Sequence, residues 1–175
     1  PMLQQNPAAV RHLQLVRGGR AVSREGVDFT QFNEKNFPYD MRQPPSRGNA
    51  LGLVKFMFPN RYNIYLHDTP QKALFGREKR DFSHGCIRLN DPFDFAYALL
   101  AKQERNPQEF FQTRLSSGRE TQVDLDQHVP VHLVYRTAFT QAKGRMQFRG
   151  DVYGRAAKIW KALEQAGVSP RAVQS

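Results

Sequence analysis

Cys86 is the only cysteine in this 175-residue chain, and it stands within Asp81-Phe-Ser-His-Gly-Cys-Ile-Arg-Leu-Asn90. Nineteen positions upstream, His67 ends an apolar, strand-like run. A cysteine and a histidine delivered from separate strands are the minimum equipment for covalent acyl transfer, in which a thiolate attacks a carbonyl. A free thiol ionises with a pKa of about 8.5 and is only a few per cent thiolate at neutral pH. Catalysis therefore needs a nearby base or a favourable field.

Two histidines are candidates for that base. His84 lies two residues before Cys86, separated from it by Gly85. Groups so close on a tight turn more often orient the backbone than aim at each other. His67 arrives from another strand and is the better placed of the two to take the thiol proton. Gly85 admits backbone angles closed to other residues and lets a substrate come near, so N–H groups around Gly85 and Cys86 can face a developing oxyanion. The group that orients the base stays open. Asp68 follows His67 directly, but neighbours on a strand point to opposite faces, so a backbone carbonyl serves as well as its side chain.

Other readings of the same residues exist. Free cysteine is among the most buried residue types, so Cys86 flanked by Ile87 and Leu89 also fits an inert core position. A metal held by His67, His84 and Cys86 is conceivable, yet the paired spacings usual for zinc are missing. No metal and no cofactor is expected. His12, His128 and His132 receive no role, and Trp160 reads as a core or rim residue.

The elements that must position these groups follow from pattern. Leu51–Phe58 is an apolar, β-compatible run closed by Pro59-Asn60, and Tyr62–Leu66 alternates after it. The two read as a hairpin that sets Asn63, Tyr65 and His67 on one face. After Cys86 the alternation continues: Cys86 and Arg88 share one face, Ile87 and Leu89 the other. Two residues along a strand span about 7 Å, so the Arg88 guanidinium can reach a group bound beside the sulfur. Asn90 or Asp91 then caps a helix with Pro92 in its first turn and Phe95–Leu100 as its apolar body. A second helix starts at Pro107 and stops before Gly118. Val131–Thr137 reads as a strand with Arg145–Arg149 as its partner, and Arg155–Ala166 as a helix ending at Gly167. Ahead of these, a short helix is expected near Ala8–Val16, and residues 28–50, rich in proline, read as loop.

Composition bounds the partners. Net charge is +10, from 26 Lys+Arg against 16 Asp+Glu, and 39% of residues are apolar, enough for one modest core. Mean hydropathy is −0.66, and no run is long enough to span a bilayer. The basic balance favours anionic partners such as a carboxylate-rich bacterial wall. Nucleic acid is not expected, because no zinc-finger spacing, RNP-like motif or arginine-bearing recognition helix accompanies the charge.

The segment Ser83-His84-Gly85-Cys86, with His67 nineteen residues earlier, resembles the signature of the YkuD-type L,D-transpeptidases, which are bacterial cell-wall enzymes. Val54-Lys-Phe-Met-Phe-Pro-Asn-Arg-Tyr62, Tyr65-Leu-His-Asp-Thr-Pro70 and Asp151-Val-Tyr-Gly154 are similar to the large Gram-negative branch, which carries an inserted cap. The resemblance is dense from about Asn49 to Leu100 and looser from Val129 to Gly167. It implies a mixed, mainly β fold: a β-sandwich catalytic core with a few helices and a helical cap. Residues 1–45 would be a cap-like segment and linker, and residues 46–175 the catalytic region with its C-terminal helix. Strands that the family has early in its sandwich are not evident ahead of Asn49, so an N-terminally truncated sheet is expected. The resemblance further implies Cys86 as nucleophile and His67 as base, with Ser83, His84 and Gly85 shaping the oxyanion and donor site. Arg88 would orient the peptide. The implied substrates are peptidoglycan stem peptides joined by 3→3 cross-links, with carbapenem β-lactams as acylating inhibitors. The implied location is the periplasm, with an inner-membrane anchor outside this chain. An L,D-carboxypeptidase or other wall hydrolase using the same thiol, or a non-catalytic basic wall-binding fragment, are the alternatives.

Overall fold

The computed structural model of the chain describes residues 10–83 and 85–168. They form two compact units, one running up to His128 and one starting at Val129. His84, singled out above, lies outside the described residues.

The first unit opens with a hairpin of β1 (Gln14–Arg17) and β2 (Arg20–Val22), in which Arg17 pairs with Arg20. Gly18 and Gly19 form the two-residue turn with φ of 57° and 77°. Both values lie in the left-handed region that this tight turn requires, and only glycine enters it freely. β3 (Asp40–Arg42) pairs antiparallel with the other side of β1. Leu15, the central residue of the sheet, is fully buried. The helix expected near Ala8–Val16 does not run to its expected end: Gln14–Val16 are strand, while Ala8 and Ala9 lie outside the described residues. The glycine pair folds the chain back before a helix can develop. The described residues up to 45 include three strands and the 3₁₀ turn Phe29–Gln31, where helix and loop were expected. Strands ahead of Asn49 are thus present.

The second sheet has the order β4 (Lys55–Phe56), β5 (Leu66–His67), β6 (Ile87–Arg88). β4 and β5 are antiparallel, as the hairpin reading requires, but the ladder is shorter than the alternation of Tyr62–Leu66 suggested. Asn60 explains the difference. Its amide donates to the carbonyls of Phe58 and Ile64 at 3.0 and 2.7 Å, and its oxygen accepts from the N–H groups of Tyr62 and Ile64 at 3.1 and 3.0 Å. One side chain takes over backbone partners of the connection, which leaves residues 62–65 out of the pairing with β4. Replacing Asn60 with alanine is expected to lower stability by about 1–3 kcal/mol through the orphaned backbone groups. A thermal melt reads this directly, and an unchanged midpoint would show that the connection is held by other contacts.

Helix α1 (Pro92–Leu100) follows β6 with Pro92 at its start, as its sequence indicates. Ala96 and Leu100 are its buried residues of the core, and Phe95 meets Phe56 of β4 edge to face with ring centroids 4.8 Å apart. Helix α2 (Pro107–Ser116) is capped by Asn106, whose side chain accepts from the Glu109 N–H at 3.3 Å and donates to the Glu109 carboxylate at 2.8 Å. The two helices pack through Phe93, Tyr97 and Phe111, and Gln112 donates to the Tyr97 hydroxyl at 2.7 Å. Glu120 links the two sheets: it pairs with Arg42 of β3 and, at 3.3 Å, with Lys55 of β4.

In the second unit β7 (Ala138–Thr140) pairs with β8 (Met146–Phe148). The expected strand at Val131–Thr137 is displaced to Ala138–Thr140, while its partner lies within Arg145–Arg149 as expected. The Gln141–Gly144 turn, closed by a 2.8 Å hydrogen bond, fixes the register to the residues beside it, and Val131 is too far from that turn to pair. Helix α3 (Arg155–Gln165) matches its apolar spacing and is held at its start by Asp151, which accepts from the N–H groups of Arg155 and Ala157.

Candidate active site

Parallel pairing of β5 with β6 matches Leu66 to Ile87 and His67 to Arg88. Carried back by one residue, that register sets Tyr65 beside Cys86. Because side chains alternate, Tyr65, His67, Cys86 and Arg88 fall on one sheet face and Leu66 and Ile87 on the other. Cys86 and His67 are thus diagonal neighbours on adjacent strands. Of the residues singled out from sequence, Cys86, His67 and Arg88 are brought together; Ser83 and Gly85 sit on the chain leading into β6.

His67 is almost fully buried, and its Nδ1 is hydrogen-bonded to the carbonyl oxygen of Asp68. A carbonyl can only accept, so Nδ1 carries the hydrogen and Nε2 keeps the lone pair of the neutral ring. The orienting group left open by the sequence is therefore the Asp68 main chain. Tyr65 lies edge-on to the His67 ring with centroids 6.1 Å apart. Burial pushes the Tyr65 phenol above its ordinary value, and the Cys86 sulfur adds to the shift by charge and hydrogen bonding. The Cys86 thiol also faces the Asn63 carbonyl, with sulfur and oxygen 3.9 Å apart. Asn63 is the one non-glycine among the described residues at positive φ, 52°, a conformation asparagine tolerates better than most.

The backbone around the sulfur has a definite polarity. Ile87 and Leu89 donate their N–H groups to β5, at the carbonyls of Tyr65 and His67. Alternation then turns the N–H groups of Cys86 and Arg88 to the opposite side. The Gly85 N–H meets the Ser83 hydroxyl at 3.3 Å. A Cβ added at Gly85 would touch only Ile64 among the described residues, at an ordinary 3.7 Å. Near the site, Gly52 and Asn63 hold left-handed backbone angles, at φ 65° and 52°.

Beneath His67 lies a polar knot that the sequence reading did not identify. The Asp68 side chain, itself nearly fully buried, accepts from the Leu53 N–H at 2.9 Å and meets Lys72 Nζ at 2.8 Å. The Asp68 N–H donates to Val54 O at 2.8 Å, which ties β5 to the chain entering β4. Lys72, at the start of the 3₁₀ turn Lys72–Gly76, also donates to the carbonyls of Leu89 and Asn90 at 3.0 and 2.6 Å. Gly52, at φ 65°, packs so closely that a Cβ there would stand 2.3–2.4 Å from the Asp68 side chain. The Asp68–Lys72 spacing of four was the one available signal, but Pro70 between them argues against the helix in which such spacing normally counts.

Burial works to raise the Asp68 carboxyl, but hydrogen bonds from Lys72, Leu53 and Thr69, together with the Lys72 charge, outweigh it and hold the group below its ordinary 3.8. The ionised group therefore stabilises the fold above the unfolded-chain value of about 3.9, and that contribution is lost as pH falls through the lower folded value. The stability difference between the wild type and Asp68→Asn is expected to stay constant from pH 7 to about pH 5 and to shrink below about pH 4. A gap that ignores acidification would exclude the ion pair as its source.

Charge is arranged across the same face. Lys55 pairs with His67 and His67 with Arg88, so two cations flank the imidazole in register. Lys55 is drawn to Glu120, and Arg88 donates to Gln71 Oε1 at 2.9 Å, a neutral partner that leaves its charge uncompensated. The buried Nε of Arg88 has no hydrogen-bond partner among the described residues.

Comparison with known proteins identifies the family. The family model for the YkuD L,D-transpeptidase catalytic domain matches residues 14–125, well over half of the chain and inclusive of both sheets and both helices of the first unit. A protein of Haemophilus influenzae named "Putative L,D-transpeptidase" is 35% identical over 136 residues, which cover 78% of this chain. The matched part spans only 27% of that relative's length. With a mixed fold of small β-sheets and three helices among the described residues, this chain belongs to the YkuD family of L,D-transpeptidase catalytic domains.

Proposed function

We propose that the chain carries out cysteine-dependent acyl transfer on peptidoglycan stem peptides, with Cys86 as nucleophile and His67 as general base. The observation that carries this reading is the β5–β6 register, which puts the two side chains on one face while Asp68 O holds the His67 Nδ1 hydrogen. Nε2 then accepts the Cys86 proton. The thiolate adds to the carbonyl carbon between meso-diaminopimelate and D-alanine, and the negative oxygen is met by the outward N–H of Cys86. Imidazolium returns the proton to the departing nitrogen, the C–N bond breaks, D-alanine leaves and a thioester remains on Cys86. A side-chain amine of a second stem attacks that thioester, gives its proton to His67 and displaces the thiolate, which completes a 3→3 cross-link.

Within this reading Ser83 restrains the approach to Cys86 through the Gly85 N–H, and Arg88 orients an anionic peptide beside the sulfur. His84 belongs to the same donor site by resemblance. Carbapenems would acylate the same thiol, and the substrate implies a periplasmic location. Incubation with a tetrapeptide stem donor and an amine acceptor tests the proposal by chromatography. Release of D-alanine together with a cross-linked dimer, both lost in Cys86→Ala, is expected. Release of D-alanine without dimer would mean that water is the acceptor and the chain is an L,D-carboxypeptidase.

A further inference from the structure

We propose that Lys72 is a positioning residue for the His67 base, acting through the Asp68 main chain. The inference rests on the reading of Cys86 and His67 as nucleophile and base. Lys72 touches neither. Its ammonium meets the Asp68 carboxylate at 2.8 Å and the carbonyls of Leu89 and Asn90 at 3.0 and 2.6 Å. Asp68 directly follows β5, and Leu89 and Asn90 directly follow β6. A single cation thus clamps the ends of the two strands that carry the reacting side chains.

The clamp bears on chemistry because of what Asp68 does with its other groups. Its N–H is fixed to Val54 O and its second carboxylate oxygen to Leu53 N–H, so Lys72 completes a three-sided restraint on the residue. The carbonyl of that residue selects the tautomer of His67. If Asp68 shifts, the Asp68–Thr69 peptide turns its carbonyl away, Nδ1 loses its acceptor and the proton is free to occupy Nε2. The same shift would pull on the His67–Asp68 peptide and slip β5 against β6, since the Leu89 N–H is bonded to His67 O at 2.8 Å. Tyr65, Cys86 and Arg88 on the sheet face and Lys55 in register are the other titratable or charged groups around the imidazole. Among the described residues no hydrogen bond or ion pair joins any of them to Asp68, whose cation is Lys72.

The test is the pH profile of Cys86 alkylation by iodoacetamide, measured on the whole chain with Cys86→Ala as blank and His67→Ala as reference. Lys72→Met is expected to slow alkylation at pH 7 by about 10-fold or more and to move the rise of the profile to higher pH. Lys72→Arg should restore much of the rate, because a guanidinium can still reach a carboxylate. Asp68→Asn keeps an acceptor for Leu53 but loses the ion pair, and it should resemble Lys72→Met. In the double variant the two losses should not add. A wild-type profile for Lys72→Met or Asp68→Asn beside a slowed His67→Ala would overturn the role of Lys72 alone. So would a lower melting temperature with an unshifted profile. A wild-type profile for His67→Ala would overturn the inference together with the reading beneath it. Should Lys72→Met fail to fold, Asp68→Asn and Lys72→Arg carry the same decision.

Discussion

Gly52→Ala is expected to abolish acylation of Cys86 and to destabilise the first unit, although Gly52 lies thirty-four positions from the cysteine. Two independent effects combine. At φ 65° an alanine is strained whatever space surrounds it, by about 1–2 kcal/mol. Its Cβ would also stand 2.3–2.4 Å from three atoms of the Asp68 side chain, a distance no pair of nonbonded atoms accepts. Asp68 cannot yield cheaply, because its nearly buried carboxylate is held by Leu53 and Lys72. Together these effects should remove about 2–4 kcal/mol of stability, or about 5–15 °C of melting temperature. Any displacement of Asp68 also moves the carbonyl that holds His67. Gly48→Ala is the control: nothing lies within 4 Å of a Cβ there and its φ is outside the left-handed region, so both activity and melting temperature should stay near wild type. Wild-type acylation in Gly52→Ala would mean that the packing around Asp68 has no bearing on the thiol.

His67→Ala is expected to reduce the rate of acylation at Cys86 by about 10²–10⁴-fold, the usual contribution of a positioned general base. The folded state should survive, since the ladder bonds of His67 are made by its backbone and only one buried side chain is removed. His67→Gln gives a sharper comparison, because glutamine fills similar space and can still bond Asp68 O but cannot take a proton near neutral pH. Both variants should be equally slow. A glutamine variant as fast as wild type would assign the proton to another acceptor and return His84 to consideration.

Much of the site could be read in the chain because its determinants are local. The alternation through Tyr65, His67, Cys86 and Arg88 fixed which side chains share a face, and the parallel register then brought the two pairs together. Pro92, Pro107 and Gly167 marked helix ends that the structure reproduces within a residue or two. What escaped depended on tertiary approach. The closeness of Gly52 to Asp68 spans sixteen residues and leaves no periodic trace. The side chain of Lys72 reaches two carbonyls just past the end of another strand, which no pattern encodes. Near the start of the described chain, local propensity misled: the helix expected near Ala8–Val16 gives way to β1 from Gln14, because Gly18-Gly19 commits the chain to a hairpin, and burial of Leu15 rewards that choice. The same holds for Asn60, whose side chain replaces a strand with a bonded loop.

Intact mass spectrometry after exposure to a carbapenem tests most directly whether Cys86 is an activated nucleophile. Wild-type chain, Cys86→Ala and His67→Ala would be compared, with folding of each checked by circular dichroism. The expected result is one covalent adduct per wild-type chain, none on Cys86→Ala and a slow adduct on His67→Ala. An adduct that persists on Cys86→Ala, or none on folded wild-type protein, would contradict the assignment of Cys86 as the acylated group.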